Sequence, residues 1–286
     1  MKYLVTGSTG KFGRHALDYL SASVGKGDLV ALARDEEKGQ ALADEGFEVR
    51  VADYSDPSSL REAFGGIQRL LFVSSVPGGA VSRQEQHWNV VDAARREGVD
   101  FIAYTSIANA QDSKCMLAPD HVYTEGIISE SGIDHVFLRN NWYLENEEFI
   151  LGGALEGGRF VYGAGDGRVG WALRREYAEA AARVLGRAST VPNTDILELS
   201  GHPVTYADLA AALSRTSGKD FEVVSLSPAA FRKGLEDAGL PSGFIGYLTA
   251  LHTEIGEGVL DVESSDFQTV LGRPLKPLDE ALTELF

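Results

Sequence analysis

The segment KYLVTGSTGKFG, residues 2–13, decides the fold. Its apolar run is followed at once by Gly7, Gly10 and Gly13, and a helical pattern begins at Lys11. This order predicts a strand, a tight turn and a helix. Glycines at such a turn let the backbone approach a phosphate, and the helix start offers free N–H groups and a positive dipole end. The same glycines suit an ordinary turn, but their place in the strand-turn-helix favours the pyrophosphate site of a dinucleotide.

Short apolar runs alternate with helical stretches beyond this segment. Five more strands are predicted, at DLVALA from Asp28, FEVRVA from Phe47, RLLFVSS from Arg69, DFIAYTS from Asp100 and DHVFLR from Asp134. Helices are predicted from Lys11, Asp35 and Pro57, over Glu85–Glu97 and over Pro119–Ser131. Strands and helices in this alternation are typical of βαβ units. The sequence therefore predicts an α/β fold with a doubly wound parallel Rossmann sheet.

The character of the sequence changes after Gly152. A glycine-rich stretch leads into an alanine-rich helix predicted over Arg174–Arg187, and four short helical segments follow, near Tyr206, Ala229, Gly243 and Asp279. We predict a nucleotide-binding Rossmann domain at residues 1–155 and a smaller, mostly helical, substrate-binding lobe at residues 156–286. A strand near residues 195–199 is compatible with a return to the main sheet.

Composition excludes several classes of partner. Asp and Glu outnumber Lys and Arg by 42 to 26, a net charge of -16, which disfavours nucleic acid and anionic membrane surfaces. The single cysteine, Cys115, cannot form an internal disulfide, and neither it nor the six histidines show metal-ligand spacing. Neither a signal peptide nor a membrane span is recognisable. We expect a cytoplasmic monomer or homodimer that binds a small molecule and no metal.

The end of the second predicted strand selects the dinucleotide. An acid at this position binds the ribose hydroxyls of NAD, whereas a cation accommodates the 2′-phosphate of NADP. Here ALARDEEK places Arg34 before Asp35. A guanidinium pairs with phosphate through two hydrogen bonds, which favours NADPH or NADP over NADH. The alternatives are a solvated Arg34 and an Asp35 that only caps the next helix.

Several further motifs carry a family resemblance. They are VADYSD (51–56), LLFVSS (70–75), QHWNVVDAARREGV (86–99), FIAYTS (101–106), LRNNWYLEN (138–146), GAGDGRVGWALRREYAEAAARV (163–184) and LGRPLKPLDEAL (271–282). With them the chain resembles, over nearly its whole length, the type 2 NAD(P)H-dependent quinone oxidoreductases of the atypical short-chain, NmrA-like group. LRNNWYLEN and FIAYTS are the specific pieces, whereas the glycine loop is shared far more widely.

The resemblance implies a nucleotide site, with Asp53 beside the adenine. The implied cofactor-binding residues are Gly7, Ser8, Thr9, Gly10, Lys11, Phe12, Gly13, Arg34, Asp53, Ser74, Ser75, Val76, Asn141, Trp142, Tyr143, Leu144, Glu145 and Asn146. Loops at the carboxyl ends of strands are where ligands bind in open α/β sheets, so the positions agree with the pattern of strands. The alternative for Ser74 and Ser75 is a cap on the turn after their strand.

The chemistry must work without the dyad common to short-chain reductases. In Tyr-x-x-x-Lys the lysine lowers the tyrosine pKa, but here Tyr123 is followed at that spacing by Ile127, and Tyr104 by Ala108. The loss disfavours ketone and alcohol dehydrogenases more than quinone reduction, since a quinone readily accepts hydride. As orienting catalytic groups we predict Asn146 and Tyr104. Asn146 would equally suit a helix cap, and Tyr104 the filling of the sheet edge.

Two functions remain open at this level. The first is an NADPH-dependent oxidoreductase that transfers hydride to quinones or similar electron-poor aromatic acceptors. The alternative is a non-catalytic, NmrA-like NADP-binding redox sensor, which the missing dyad also permits. An epimerase acting on nucleotide sugars is disfavoured because it needs the absent Tyr-Lys pair.

Overall fold

Thirteen strands and twelve α-helices are present in the computed structural model, which describes residues 1–286. The strands are β1 (Tyr3–Val5), β2 (Leu29–Ala33), β3 (Glu48–Val51), β4 (Arg69–Phe72), β5 (Phe101–Ile107), β6 (Asp134–Asn140), β7 (Trp142–Tyr143), β8 (Arg159–Tyr162), β9 (Arg168–Val169), β10 (Trp171–Ala172), β11 (Ile196–Leu199), β12 (Val204–Thr205) and β13 (Glu222–Ser225).

The helices alternate with the strands through the first half of the chain and dominate the end. They are α1 (Lys11–Val24), α2 (Glu36–Asp44), α3 (Pro57–Phe64), α4 (Arg83–Arg96), α5 (Ala118–Ser131), α6 (Glu148–Gly157), α7 (Arg174–Leu185), α8 (Tyr206–Ser217), α9 (Pro228–Asp237), α10 (Ser242–Gly256), α11 (Asp266–Leu271) and α12 (Leu278–Leu285). No helix is both long enough and apolar enough to cross a bilayer.

Seven of the strands form one parallel sheet in the order β11-β6-β5-β4-β1-β2-β3. Strand β1 lies between β2 and β4, with Tyr3 opposite Leu29 on one side and Arg69 on the other. Strands β1 to β3 are added toward one edge of the sheet, and strands β4, β5, β6 and β11 toward the other. A crevice opens between β1 and β4, where this order reverses, at the carboxyl ends of the strands. The predicted α/β, doubly wound Rossmann class is confirmed.

The part of the chain that packs on the sheet extends beyond residue 155. The expected return of the strand near residues 195–199 is observed, since β11 pairs with β6, Ile196 opposite Phe137. Helix α7 packs beside α1 on one face of the sheet and buries Tyr177 there. A limit at residue 155 would assign α7 and β11 to the smaller lobe. We propose instead a discontinuous lobe, with its core drawn from residues 142–173, 206–213, 251–260 and 281–282.

Two helices were not predicted from the sequence. Helix α6 lies in the glycine-rich stretch, where Ile150, Leu151 and Ala154 are buried against the lobe. Burial of one face outweighs the low helix propensity of its glycines. Helix α11 has six residues, too few to show a period, and it forms because Phe267 and Val270 pack on the face that holds α7.

A buried carboxylate joins the elements of the smaller lobe. Oε1 of Glu147 accepts hydrogen bonds from the indole N–H of Trp142 (3.1 Å), the indole N–H of Trp171 (3.2 Å) and the hydroxyl of Tyr206 (3.0 Å). Only 3% of Glu147 is exposed. Burial outweighs the three donors and raises the pKa of this carboxyl to about 7.

We expect Glu147 to make stability depend on pH. Its pKa is about 7 in the folded protein and about 4.5 otherwise, so its contribution is fully present below pH 4.5 and is lost as the pH rises through 7. Glu147→Gln keeps the acceptor oxygen and removes the titration. Its free energy of unfolding, measured with urea, should rise relative to the native protein by about 2–3 kcal/mol between pH 5 and pH 8.

Glu156→Gln is the control, because Glu156 is exposed on α6 and takes part in no ion pair. Its stability difference from the native protein should be the same at both pH values. A pH-independent difference for Glu147→Gln would contradict the assignment.

Candidate functional site

A cleft of about 750 Å³ opens at the carboxyl edge of the sheet, over β1 to β4. Ten of the residues predicted to bind cofactor line it, namely Gly7, Thr9, Gly10, Lys11, Phe12, Arg34, Asp53, Ser74, Ser75 and Val76. They come from the loops that follow four neighbouring strands. Sequence positions far apart are thereby brought to one continuous groove.

The glycine loop presents bare backbone to this cleft. Gly7 has a φ of +61°, and its carbonyl accepts the N–H of Gly10 at 3.0 Å. A Cβ on Gly13 would lie 2.3 Å from the Gly7 oxygen, so only glycine lets α1 approach the loop this closely. No side chain caps α1, and the N–H groups of Lys11 and Phe12 have no acceptor. Such free donors at a helix start suit an anion.

Ser8 has a different position from its neighbours in the loop. It is completely buried, and its hydroxyl donates to the Val5 carbonyl (2.5 Å) and accepts the N–H of Leu32 (3.2 Å). The side chain therefore links β1 to β2 beneath the cleft. The prediction that Ser8 binds cofactor finds no support from its side chain.

We predict that Gly13→Ala disrupts both fold and site. The added methyl group meets backbone rather than a movable side chain, so the free energy of unfolding should fall by on the order of 3 kcal/mol. Dinucleotide binding, followed by calorimetry, should be lost. Gly126→Ala on α5 is the control, because no atom lies within 4 Å of the added carbon and alanine favours helix. Equal stability of the two variants would contradict the close approach.

The loops after β2 and β3 form one end of the cleft. Arg34 is exposed there and has no hydrogen-bond or ion-pair partner. Asp35 instead caps α2, accepting the N–H of Lys38 at 2.8 Å, and its carboxylate pairs with the Lys38 ammonium at 3.0 Å. Backbone and side chain of Lys38 together lower the pKa of Asp35. The only cleft-lining charge at the end of β2 is therefore positive.

Asp53 lies beside Arg34 in the lining of the cleft. Its Oδ1 accepts both the N–H of Ser55 (2.8 Å) and the Ser55 hydroxyl (2.5 Å). These bonds lower the pKa of Asp53, the hydroxyl contributing most. An ionised acceptor in this place suits the amino group of an adenine. Tyr54, which the sequence analysis missed, also lines the cleft and donates to the Val73 carbonyl at 2.9 Å.

Arg34→Ala should discriminate between the two nicotinamide dinucleotides. Loss of a guanidinium from a 2′-phosphate removes charged hydrogen bonds, so NADPH affinity should fall about 10- to 100-fold. NADH affinity should change less than about twofold, since it has no phosphate there. Calorimetric titration measures both. Arg61→Ala, which removes an exposed arginine outside the cleft, should change neither, and equal losses of both dinucleotides in Arg34→Ala would refute the assignment.

The loop after β4 is held from both sides at Ser75. Its N–H donates to Nε2 of His87 at 3.0 Å, and its carbonyl accepts Nε of Arg83 at 2.8 Å. Since Nε2 accepts, the proton of His87 is on Nδ1, which lies 2.7 Å from the Thr124 hydroxyl. Burial lowers the pKa of His87 to about 3, so the ring is neutral at physiological pH and Nε2 stays available to accept from Ser75.

Tyr104 does not reach the cleft. It is completely buried in the core between the sheet and helices α3 to α5, and its hydroxyl lies 2.9 Å from Nδ1 of His121. Burial raises the pKa of this tyrosine far above the physiological range. A group without exposed surface cannot orient a substrate. The alternative to catalysis was the filling of the sheet edge, and Tyr104 instead fills the buried core beside the sheet.

The predicted segment from Asn141 to Asn146 divides into two groups. Asn141 donates to the Ser200 hydroxyl and the Leu260 carbonyl, both at 3.0 Å, so it fastens the sheet to the smaller lobe. Trp142 and Leu144 are buried in the core of that lobe. These three side chains face away from the cleft, and their inclusion in the cofactor site is not supported.

The other three residues, Tyr143, Glu145 and Asn146, each contact Arg174, which lines the cleft. Glu145 accepts the Arg174 N–H at 2.9 Å, and Oδ1 of Asn146 lies 3.4 Å from its Nη2. The guanidinium lies over the Tyr143 ring, 5.3 Å from its centre, and Tyr143 packs on Phe12. Burial raises the Tyr143 pKa to about 12. Arg174 lines the cleft, and the sequence analysis did not predict it. A signal was present, because a cation in the first turn of a helix is unfavourable beside the positive end of the helix dipole. A residue kept there despite that cost is a candidate for a binding role.

No group of His, Cys, Asp and Glu side chains in the structure is arranged to hold a metal ion.

Comparison with known proteins identifies relatives of this chain. Residues 7–162 match the model of the NAD(P)H-binding family. The sequence is 39% identical to quinone oxidoreductase 2 of Escherichia coli, covering 99% of this chain and 98% of that one.

Solved structures extend the comparison. The fold superposes on the NADPH-dependent quinone oxidoreductase of Escherichia coli complexed with NADPH with a TM-score of 0.92, at 38% identity and over 99% of both chains. The triphenylmethane reductase of Citrobacter sp. superposes with a TM-score of 0.91, at 36% identity and also over 99% of both chains. The similarity thus includes the smaller lobe as well as the sheet.

Proposed function

The chain belongs to the NAD(P)H-binding family and to its quinone oxidoreductase 2 group, and from that premise we propose that it transfers hydride from NADPH to quinones or similar electron-poor aromatic acceptors. One observation carries the choice of dinucleotide: Arg34 is unpaired at the end of β2, while the neighbouring acid is engaged as a helix cap. The cleft thus offers an unpaired cation at the end of β2, where the two dinucleotides differ, while the acid that follows it in sequence is engaged with Lys38.

The residues of the cleft fit the parts of NADPH in order. The free N–H groups at the start of α1 would hold the pyrophosphate, Arg34 the 2′-phosphate and Asp53 the adenine. Bound NADPH would supply a hydride from C4 of its nicotinamide ring. The loop fixed at Ser75 and the Tyr143 ring packed on Phe12 give this half of the cleft a rigid wall. Such rigidity favours hydride transfer by orientation.

No tyrosine at the cleft is suited to acid catalysis. Burial raises the pKa of Tyr54, which lines the cleft, far above the physiological range, and it raises the pKa of Tyr143, which packs on Phe12, to about 12. A quinone takes the hydride, with its electron pair, and the resulting hydroquinone anion takes one proton from water. One hydride and one proton thus convert one quinone into one hydroquinone. The acceptor must therefore be reactive enough to need no acid.

Asn146 is the residue we assign to the acceptor oxygen. Its side chain is exposed, and Arg174 points a donor at Oδ1, which leaves the amide NH₂ free to donate. That NH₂ would hydrogen-bond a carbonyl oxygen of the acceptor and favour it as negative charge develops. Tyr104 has no such access, since it is completely buried.

Mixing the purified protein with NADPH and 1,4-benzoquinone tests the function. We expect loss of the nicotinamide absorbance well above the uncatalysed rate, and much slower loss with NADH. Asn146→Ala should lower kcat/KM for the quinone about tenfold, the value of one hydrogen bond, without changing NADPH affinity. Tyr104→Phe should retain turnover in whatever fraction folds. Tight NADPH binding without turnover of any quinone would favour the redox sensor instead.

A further inference from the structure

Three aromatic side chains remain exposed beside the cleft. Phe149 is in the first turn of α6, and Phe244 and Tyr247 are in the first half of α10. The rings of Phe149 and Phe244 pack edge to face, with centroids 5.5 Å apart and planes at 90°. Tyr247 follows Phe244 by three residues, on the same side of α10. Each of the three exposes between 37% and 45% of its surface. We call them the aromatic patch.

The first turn of α6 connects this patch to the dinucleotide cleft. Glu148, next to Phe149, lies 3.9 Å from the ammonium of Lys11, which lines the cleft. Asn146, three residues before Phe149, contacts Arg174, a second lining residue. Two residues on the N-terminal side of Phe149 are therefore in contact with the cleft wall. The patch is continuous with the proposed site rather than an isolated surface feature.

Helix α10 is fixed to the same edge of the molecule by a separate contact. The N–H of Met116, in the loop that follows β5, donates to both carboxylate oxygens of Glu254 at 3.1 Å. The loops after parallel strands meet at one edge of the sheet, so this contact places the last turn of α10 at the edge where the cleft opens. Phe244 and Tyr247 lie toward the other end of the same helix, where Phe244 meets Phe149.

The rings of Phe244 and Tyr247 are exposed although α10 itself is well packed. Helix α10 buries Ile245, Leu248 and Leu251 on its other side, in two of the hydrophobic clusters. Contiguous apolar surface left beside a ligand cleft typically belongs to a binding site. Aromatic rings offer flat ligands stacked and edge-to-face contacts. The carboxylate of Glu148, next to Phe149, adjoins the patch, which favours an uncharged ligand over an anionic one.

We propose that the aromatic patch binds the additional fused rings of an uncharged polycyclic quinone whose reacting ring lies in the cleft. This assignment rests on the proposed function and makes it more specific. A single-ring quinone has no further ring to place on Phe149 or Phe244. The patch therefore lowers KM for polycyclic acceptors and has little influence on benzoquinone.

The test compares 1,4-benzoquinone with 9,10-phenanthrenequinone, which has three fused rings, at saturating NADPH. Phe149→Ala and Phe244→Ala should each raise KM for the three-ring quinone about tenfold, the effect of one buried aromatic contact. KM for benzoquinone and the affinity for NADPH should change less than about twofold. Unchanged thermal midpoints show that both variants fold.

Trp88→Ala is the matched control, since Trp88 is an exposed aromatic residue on α4 that lines no part of the cleft. It should leave both quinones unaffected. Equal changes in KM for the two quinones in the patch variants, or no change in either, would overturn the patch as a ring site while leaving quinone reduction intact. Failure of the native protein to turn over either quinone would overturn the proposed function, and this assignment with it.

Discussion

The approach of the first helix to the end of the first strand is the constraint on which the site depends. The Gly7 carbonyl occupies the space where a side chain at position 13 would lie, and the start of α1 has no cap of its own. The helix therefore presents uncapped N–H donors to the crevice between β1 and β4, where the order of successive strands in the parallel sheet reverses. The roles proposed for Arg34 and Asp53 depend on this position, because it fixes where a pyrophosphate would lie.

Helix α5, which carries the Tyr-Lys dyad in many short-chain reductases, here has a supporting task. His121 bonds Tyr104, Thr124 bonds His87, and Glu125 accepts the Ser106 hydroxyl and the guanidinium of Arg139. The Glu125–Arg139 pair is buried, at 2.8 Å. Side chains from this helix thus fix the ends of neighbouring strands instead of touching a substrate. Such a helix can help to orient ligands by holding the strand ends of the cleft. It does not supply an activated tyrosine.

The smaller lobe depends on a different kind of contact. Three donors from separate elements converge on one carboxylate oxygen of Glu147, while Asn141 joins the end of β6 to Ser200 and the chain near Leu260. These polar contacts set the position of the start of α6, with Phe149 in its first turn and Asn146 just before it. The position of α6 is therefore decided by buried side chains that do not line the cleft.

The sequence by itself determined the seven sheet strands, the glycine turn and the cation after β2, because short apolar runs, glycine spacing and strand-end residues act locally. The tertiary structure decided which side chains of LRNNWYLEN face the cleft. Asn141, Trp142 and Leu144 turn inward, whereas Asn146 stays exposed. It also buried Tyr104, revealed Arg174 as a lining residue and joined Phe149 to Phe244 across almost a hundred residues. Orientation in an irregular segment follows from long-range packing, which no local pattern encodes.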